Sequence, residues 1–472
     1  MMTLKDRMFN EQNHSRTFIT RISRSFLQSP ARVSILVFAC LIGIGTLLLM
    51  LPSASINNDI GLINALFTST SATCVTGLVI TDTGHSFTLF GQFVILILIQ
   101  VGGIGIMTIS TVFLLMVGGR PSLIGRILLK DTLTYGEDRN IISIIRDVVK
   151  FTFVIEGLGA ALLLFRFLPG KGFVEALYLS IFHSISAFCN AGFSIFPDSF
   201  ISYKEDWVIN IVISFLIISG GIGFLVLSEL KKFIFMKRIT LSRLSLHSKL
   251  VISVTVILLL FSTLLFTVME WTNILGPLSV PNRILAGFFQ AVSARTAGFN
   301  TLTVGDMANE TLFLLILLMF IGASPGSCGG GVKTTTLACL GILGLSRIRG
   351  KSRPQLFRRT ISDVSVGKAI SVVLVSTSII ITATFLLLIT ELGEIPHPMS
   401  RGDFLEIMFE VVSAFGTVGL STGITQSLSI PGKLIITFVM FIGRLGPLAV
   451  AIAVSRSETS RYFYAEEEIM IG

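Results

Sequence analysis

Charge is scarce in this chain. Only 13% of its 472 residues are Asp, Glu, Lys or Arg, against roughly a quarter in a soluble domain, which excludes a large solvated globular surface. The cysteines (Cys40, Cys74, Cys189, Cys328, Cys339) and the histidines (His14, His85, His183, His247, His397) are scattered. They show neither zinc-ligand spacing nor a disulfide pairing. No Walker-type phosphate loop occurs, so any nucleotide control would have to come from another subunit. Enzymatic chemistry has no support in these motifs, and no cofactor is expected in this chain.

What is abundant is apolar sequence: 52% of residues are hydrophobic and the mean hydropathy is +0.84. Uncharged runs long enough to cross a bilayer occupy Val33–Leu51, Gly91–Val117, Val208–Ser228, Leu250–Met269 and Ala369–Thr390. Three further spans carry one ionisable residue each: Val148–Leu168 with Glu156, Thr311–Ser346 with Lys333, and Leu434–Ser455 with Arg444. Eight spans result. The first run exceeds the core of a signal peptide, about 7–15 residues, and reads as a retained span. Basic residues cluster before the first span (Arg16, Arg21, Arg24, Arg32) and after the second (Arg120, Arg126, Lys130, Arg139, Arg146). They recur after the fourth (Lys231, Lys232, Lys237, Arg238, Arg243) and the sixth (Arg347, Arg349, Lys351, Arg353, Arg358, Arg359). With eight spans all four clusters fall on one side, which predicts a multi-pass inner (plasma) membrane protein with both termini cytoplasmic. The net charge of +9 is therefore a topology signal with affinity for anionic lipid, and nucleic acid is not expected as a partner.

Between spans the chain repeats itself four times. Phe67 to Gly77, Phe182 to Gly192, Phe288 to Gly298 and Phe409 to Gly419 each run from Phe through nine residues to Gly. The short helices expected at Gly61–Thr73, Val174–Phe188, Arg283–Ala294 and Asp403–Phe415 reach only about 20 Å, too little for a ~30 Å hydrocarbon core. They read as re-entrant pore helices, whose following loops are tolerated only in protein or against a watery cavity.

A dehydrated monovalent cation needs oxygen ligands, and backbone carbonyls supply them without net charge. Val75-Thr76-Gly77, Asn190-Ala191-Gly192, Thr296-Ala297-Gly298 and Thr417-Val418-Gly419 fit that role as four walls of one selectivity filter, with the negative helix ends aimed at it. The third copy is the loosest, with Val292 where the others have Ser71, Ser186 and Ser413, and with Arg295 nearby. That arginine is expected to point into surrounding protein.

Two features suggest a gate. Gly322, Ala323, Ser324, Pro325, Gly326, Ser327, Cys328, Gly329, Gly330 and Gly331 cannot sustain a helix, since each interior Gly costs about 1 kcal/mol and Pro about 3. Lys333 follows, as an anchor for that segment or facing the cytoplasmic vestibule. Arg444 sits mid-span, where an arginine normally faces a cavity or a partner. It serves either as a cationic barrier in the pore or in an ion pair, with Glu156 as one partner. Glu156 itself is open between a functional role and a pair near the membrane edge.

These loops, with the Ser293–Thr301, Gly322–Thr336 and Phe441–Pro447 segments, resemble the Trk/Ktr/HKT superfamily of potassium transporters, most closely the membrane subunit of bacterial Ktr systems. The resemblance covers the chain from about Pro30 onward. It implies an all-α integral membrane protein: eight transmembrane helices as four repeats of helix, pore helix, filter loop and helix, with pseudo-fourfold symmetry around one pore. The expected units are a cytoplasmic N-terminus (1–30), pore repeats at 31–119, 145–231, 248–346 and 367–456, an intramembrane gating loop at 322–333, and a cytoplasmic tail (457–472). Glycine in all four loops implies potassium as the transported ion, with sodium stimulation left open. A homodimer carrying a cytosolic ring of KtrA-type nucleotide-binding regulatory subunits is the implied assembly. The alternatives are a secondary transporter coupling potassium to sodium or protons, and a subunit that docks regulators without conducting. Only the third inner helix reads as broken, which disfavours the carrier.

Overall fold

The computed structural model describes residues 30–56, 60–105, 141–235, 244–351, 353–357, 359–393 and 395–446. The expected cytoplasmic N-terminus and tail, residues 106–119 and 447–456, and many of the basic residues lie outside these. The first repeat contributes α1 (Pro30–Leu49), α2 (Leu62–Thr73) and α3 (Leu89–Ile104). The second contributes α4 (Ile141–Phe167), α5 (Phe173–Phe188), α6 (Trp207–Gly221) and α7 (Phe224–Phe235). The third contains α8 (Leu246–Met269), α9 (Val280–Ser293), α10 (Asn309–Phe320) and α11 (Thr334–Ile348). The fourth contains α12 (Asp363–Leu392), α13 (Asp403–Gly416) and α14 (Ile430–Leu445). A two-residue antiparallel pair, Gln355–Leu356 with Arg359–Thr360, lies between α11 and α12.

The opening helix of each repeat differs from the closing one. Arg32–Leu49, Arg146–Gly170, Leu246–Met269 and Asp363–Leu392 are long and apolar enough to cross a membrane, and they expose large apolar side chains such as Leu47, Phe165, Leu260 and Phe385, as a lipid-facing surface requires. The closing helices stop early. α3 and α14 have 16 residues and α6 has 15, about 24 Å at most. Gly105 (φ 87°), Gly223 (φ 95°) and Gly446 (φ 87°) mark these ends in left-handed backbone, which ordinary residues resist. In the third repeat a loop from Ile321 to Lys333 separates α10 from α11.

This corrects the expectation of one continuous span over Val208–Ser228 and of a single broken inner helix. The backbone breaks between α6 and α7 because Gly223 lies against the third repeat's loop. A Cβ there would come within 2.6 Å of the Pro325 carbonyl oxygen, and the Phe224 N–H donates to the Gly326 carbonyl at 3.1 Å.

Packing joins the repeats in a circle. Each opening helix lies on the short helix of its own repeat: α1 on α2, α4 on α5, α8 on α9 and α12 on α13. The closing helices reach forward to the next short helix, α3 to α5, α6 to α9 and α10 to α13, and α14 returns to α2. Phe67, Phe182, Phe289 and Phe409 are fully buried anchors of the short helices, each removing an aromatic ring from solvent or lipid.

Candidate functional site

The four short helices end at a ring of glycine loops. A Cβ on Gly77 would lie 2.5 Å from the Ala191 carbonyl oxygen, one on Gly192 2.8 Å from that of Ala297, and one on Gly298 2.3 Å from that of Val418. A Cβ on Gly419 would lie 2.2 Å from that of Thr76, which closes the circle. Four glycines and the four carbonyls of Thr76, Ala191, Ala297 and Val418 thus meet in cyclic order, at distances no side chain tolerates. Two positions before each glycine, Val75 (φ 56°), Asn190 (φ 60°), Thr296 (φ 68°) and Thr417 (φ 50°) are left-handed as well. Three of these are β-branched, for which that conformation is a genuine outlier. The cost is about 1–3 kcal/mol each, repeated four times, and such strain clusters at functional sites. All twelve residues expected from the sequence are brought together here.

A serine on each short helix ties its loop. Ser71 Oγ accepts from Gly77 N–H and Ser413 Oγ from Gly419 N–H, both at 3.1 Å. Ser186 Oγ donates to the Phe193 carbonyl at 2.7 Å, and Ser293 Oγ donates to that of Phe299. The third repeat therefore does not lack its serine. Counting back from Gly298 aligned Val292 with the serines and Phe288 with the anchors, but the buried anchor is Phe289 and Phe288 is only partly buried. The motif is Phe, three residues, Ser in every copy, and the third loop is one residue shorter between Ser and Gly. Arg295, 8% exposed, borders a crevice with Ile217, Thr255 and Leu259 rather than the cavity that touches the four glycines.

The loop between α10 and α11 sits directly beneath this ring. It enters and leaves side by side, Ile321 bridged to Val332 and Gly322 N–H donating to the Val332 carbonyl at 2.8 Å. Ser324 and Cys328 donate their N–H groups to the carbonyls of Gly221 and Gly220, both at 3.1 Å, and Gly330 N–H reaches Thr417 Oγ1 at 2.9 Å. A Cβ on Gly329 would strike Thr296 Oγ1. Two cations hold the segment. Lys333 Nζ donates to the carbonyls of Gly329 at 2.6 Å and Gly330 at 3.4 Å, and Arg444 donates to those of Cys328 and Gly102. Arg444 makes no ion pair with Glu156 among the described residues. Glu156 instead accepts from Gln100 at 3.1 Å and lies 3.7 Å from Cys189 Sγ, a buried polar cluster rather than a membrane-edge pair.

Above the ring a cavity of about 270 Å³ touches Gly77, Gly192, Gly298 and Gly419. Its wall includes the carboxylates of Asp82 and Asp198. Sequence reasoning missed these and also the buried polar residues His183 and Glu410, which are 0% and 1% exposed. For His183 and Glu410 the available signal was their place, immediately after the anchor phenylalanine of a repeated motif.

The sequence profile of TrkH, described as a cation transport protein, matches residues 14–463. The chain belongs to this family. The Ktr system potassium uptake protein B of Bacillus subtilis is 40% identical over 94% of this chain and 97% of its own, and that of Vibrio alginolyticus is 38% identical over 93% and 94%. The potassium/sodium uptake protein NtpJ of Enterococcus hirae is 38% identical over 94% and 97%. The crystal structure of the potassium transporter TrkH from Vibrio parahaemolyticus superposes with a TM-score of 0.71 at 18% identity, over 91% of this chain and 85% of that one, a likeness of fold. This TrkH-family chain is a membrane protein.

Proposed function

We propose that this protein is the membrane subunit of a Ktr-type potassium uptake system, in which potassium passes through the ring of four glycine loops. The observation that carries the reading is the cyclic closure of four glycines on four carbonyl oxygens. Uncharged oxygens in a fixed ring replace the hydration shell of a monovalent cation, and the negative ends of four short helices favour positive charge there. In this reading eight spans form four repeats around one pore, and Val75–Gly77, Asn190–Gly192, Thr296–Gly298 and Thr417–Gly419 are the filter. The segment Gly322–Gly331 with Lys333 is the gate, and Arg444 is its latch. At about 5 Å and an effective dielectric near 20, an arginine repels a passing cation by about 3 kcal/mol, a barrier that closes a pore at rest and yields to a modest displacement.

The assembly we propose is a homodimer in the plasma membrane with both termini cytoplasmic, bearing a cytosolic nucleotide-binding ring. The break between α6 and α7 favours one second reading, a carrier coupling potassium to sodium or protons, because such carriers bind at discontinuous helices. Purified protein in liposomes separates the two. Passive flux follows the potassium gradient alone, whereas a carrier drives potassium uphill on a sodium or proton gradient. Gly192→Ser should weaken the flux or admit sodium. Unaltered selective flux in that variant would sink the filter assignment.

A further inference from the structure

The glycine ring is held from outside as well as from below, and unequally. The residue following each anchor phenylalanine is Thr68, His183, Gln290 or Glu410, each buried. The residue two beyond each ring glycine is Val79, Ser194, Asn300 or Ser421, and all four line the outer cavity. In the fourth repeat these two positions are joined: Ser421 Oγ donates to Glu410 Oε2 at 2.9 Å, and Thr425 Oγ1 donates to Glu410 Oε1. Ser421 Oγ in turn accepts from Gly423 N–H at 3.0 Å, so Ser421, Gly423 and Thr425 are tied to one buried carboxyl, while Thr422 Oγ1 donates to Glu406 at 3.4 Å.

The second repeat uses the same positions with different chemistry. His183 Nδ1 lies 2.8 Å from the Leu179 carbonyl, which can only accept, so Nδ1 carries the hydrogen and Nε2 is the acceptor. Nε2 then receives Ser194 Oγ at 3.1 Å and Ile195 N–H at 3.4 Å. Phe196 stacks on the imidazole at 4.6 Å and fixes its plane. In the third repeat Gln290 makes no side-chain hydrogen bond among the described residues. These two positions are joined in the second and fourth loops, opposite each other in the ring, whereas the third loop's outer turn is held by Phe200 N–H, which donates to the Asn300 carbonyl at 3.0 Å, and by Ser199 Oγ, which accepts from Asn300 N–H at 3.3 Å.

We infer that Glu410 is a positioning residue for ion selection, with His183 as its counterpart across the ring: each fixes the outer turn of its glycine loop and thereby the spacing of the carbonyls just below. The inference rests on the filter reading above. Neither residue reaches the ion, so each acts through Ser421 or Ser194. A loop freed of its brace relaxes around whichever cation enters, and discrimination against the smaller sodium ion falls before conduction does.

The test uses the full chain in liposomes, comparing the half-saturating potassium concentration and the inhibition by sodium in wild type, Glu410→Ala, Glu410→Gln, Ser421→Ala and Gly192→Ser. Loss of hydrogen bonds to a buried carboxyl predicts for Glu410→Ala roughly a tenfold change in both quantities. Glu410→Gln, which retains a hydrogen-bonding amide of nearly the same shape, should stay within about threefold of wild type. Folded Glu410→Ala with wild-type selectivity overturns the inference, and so does equal loss in Glu410→Ala and Glu410→Gln, which would place the effect in charge rather than bracing. Should Glu410→Ala not fold, Ser421→Ala decides: it removes only the loop-side hydroxyl, and unchanged selectivity overturns the brace. Gly192→Ser reports on the filter itself, so its failure is distinguishable from failure of the brace.

Discussion

The outer and inner halves of this molecule follow opposite rules. Outside, four loops adopt the same left-handed pair of residues, each glycine closes on the next carbonyl, and a serine ties every loop. Inside, the repeats diverge. Only the third inserts a loop of glycines, and only the fourth places an arginine where the first and second have Gly103 and Gly221. Repetition suits a ring of equivalent ligands, whereas a single loop in a single sector can block a path and be withdrawn. In the reading proposed above, selection is spread over four copies and control rests on two, the loop of the third and the arginine of the fourth.

The strongest way to break this comparison is to crowd the ring. Gly419→Ala places a methyl group 2.2 Å from the Thr76 carbonyl oxygen in backbone with φ 91°. Neither neighbour is the flexible end of a side chain, so the ring must open. Potassium flux in liposomes should fall by about a hundredfold or more, given several kcal/mol of steric and backbone strain. A variant that conducts normally would mean the ring is not on the ion path.

Removing the inner loop should act in the opposite direction. Gly322 and Val332 are already hydrogen-bonded neighbours at 2.8 Å, so deletion of residues 323–331 joins adjacent ends and leaves α10 and α11 in place. Passive flux should rise about thirtyfold as a barrier of roughly 2 kcal/mol disappears. A coupled carrier would instead lose transport, and a docking subunit would be indifferent. Arg444→Gln is the milder form of the same experiment. It frees Cys328 and Gly102 and removes the cationic repulsion but leaves the loop in the path, so only about 1.4 kcal/mol of that repulsion shows in the rate and flux should increase about tenfold. A decrease would assign Arg444 to structure alone.

Much of this was legible in the sequence, for reasons that differ by element. The ring residues were readable because four copies carried the same glycine, so no single coincidence had to be trusted. The inner loop was readable because its composition forbids a helix. The helix ends at Gly105 and Gly446 and the break at Gly223 were not, although Gly102-Gly103-Ile104-Gly105, Gly220-Gly221-Ile222-Gly223 and Gly443-Arg444-Leu445-Gly446 repeat one spacing. Hydropathy runs smoothly across the first two, and an apolar run says nothing about φ. The first glycine of each trio faces its own short helix: a Cβ on Gly102, Gly220 or Gly443 would collide with the carbonyl of Thr73, Phe188 or Phe415. Contacts between distant segments, such as Arg444 with Cys328 or Glu410 with Ser421, leave no periodic trace and could be found only in three dimensions.

The smallest expected effect tests whether the third sector belongs to the symmetric half at all. Ser293→Ala removes the bond to the Phe299 carbonyl, and one neutral hydrogen bond is worth about 1 kcal/mol. Sodium should then compete about fivefold better against potassium flux, with the protein's thermal stability little changed. Adding Val292→Ser to that variant restores a serine at the position that counting from Gly298 suggests. It should not rescue selectivity, because Val292 lies one residue further from Gly298 on a helix whose anchor is Phe289, and one residue turns a helical side chain by about 100°. Rescue by the double variant would show that the third loop keeps the longer register of its neighbours. Failure to rescue would mean that this loop reaches the same ring with one residue fewer, so that equivalent carbonyl positions are held by inequivalent loops.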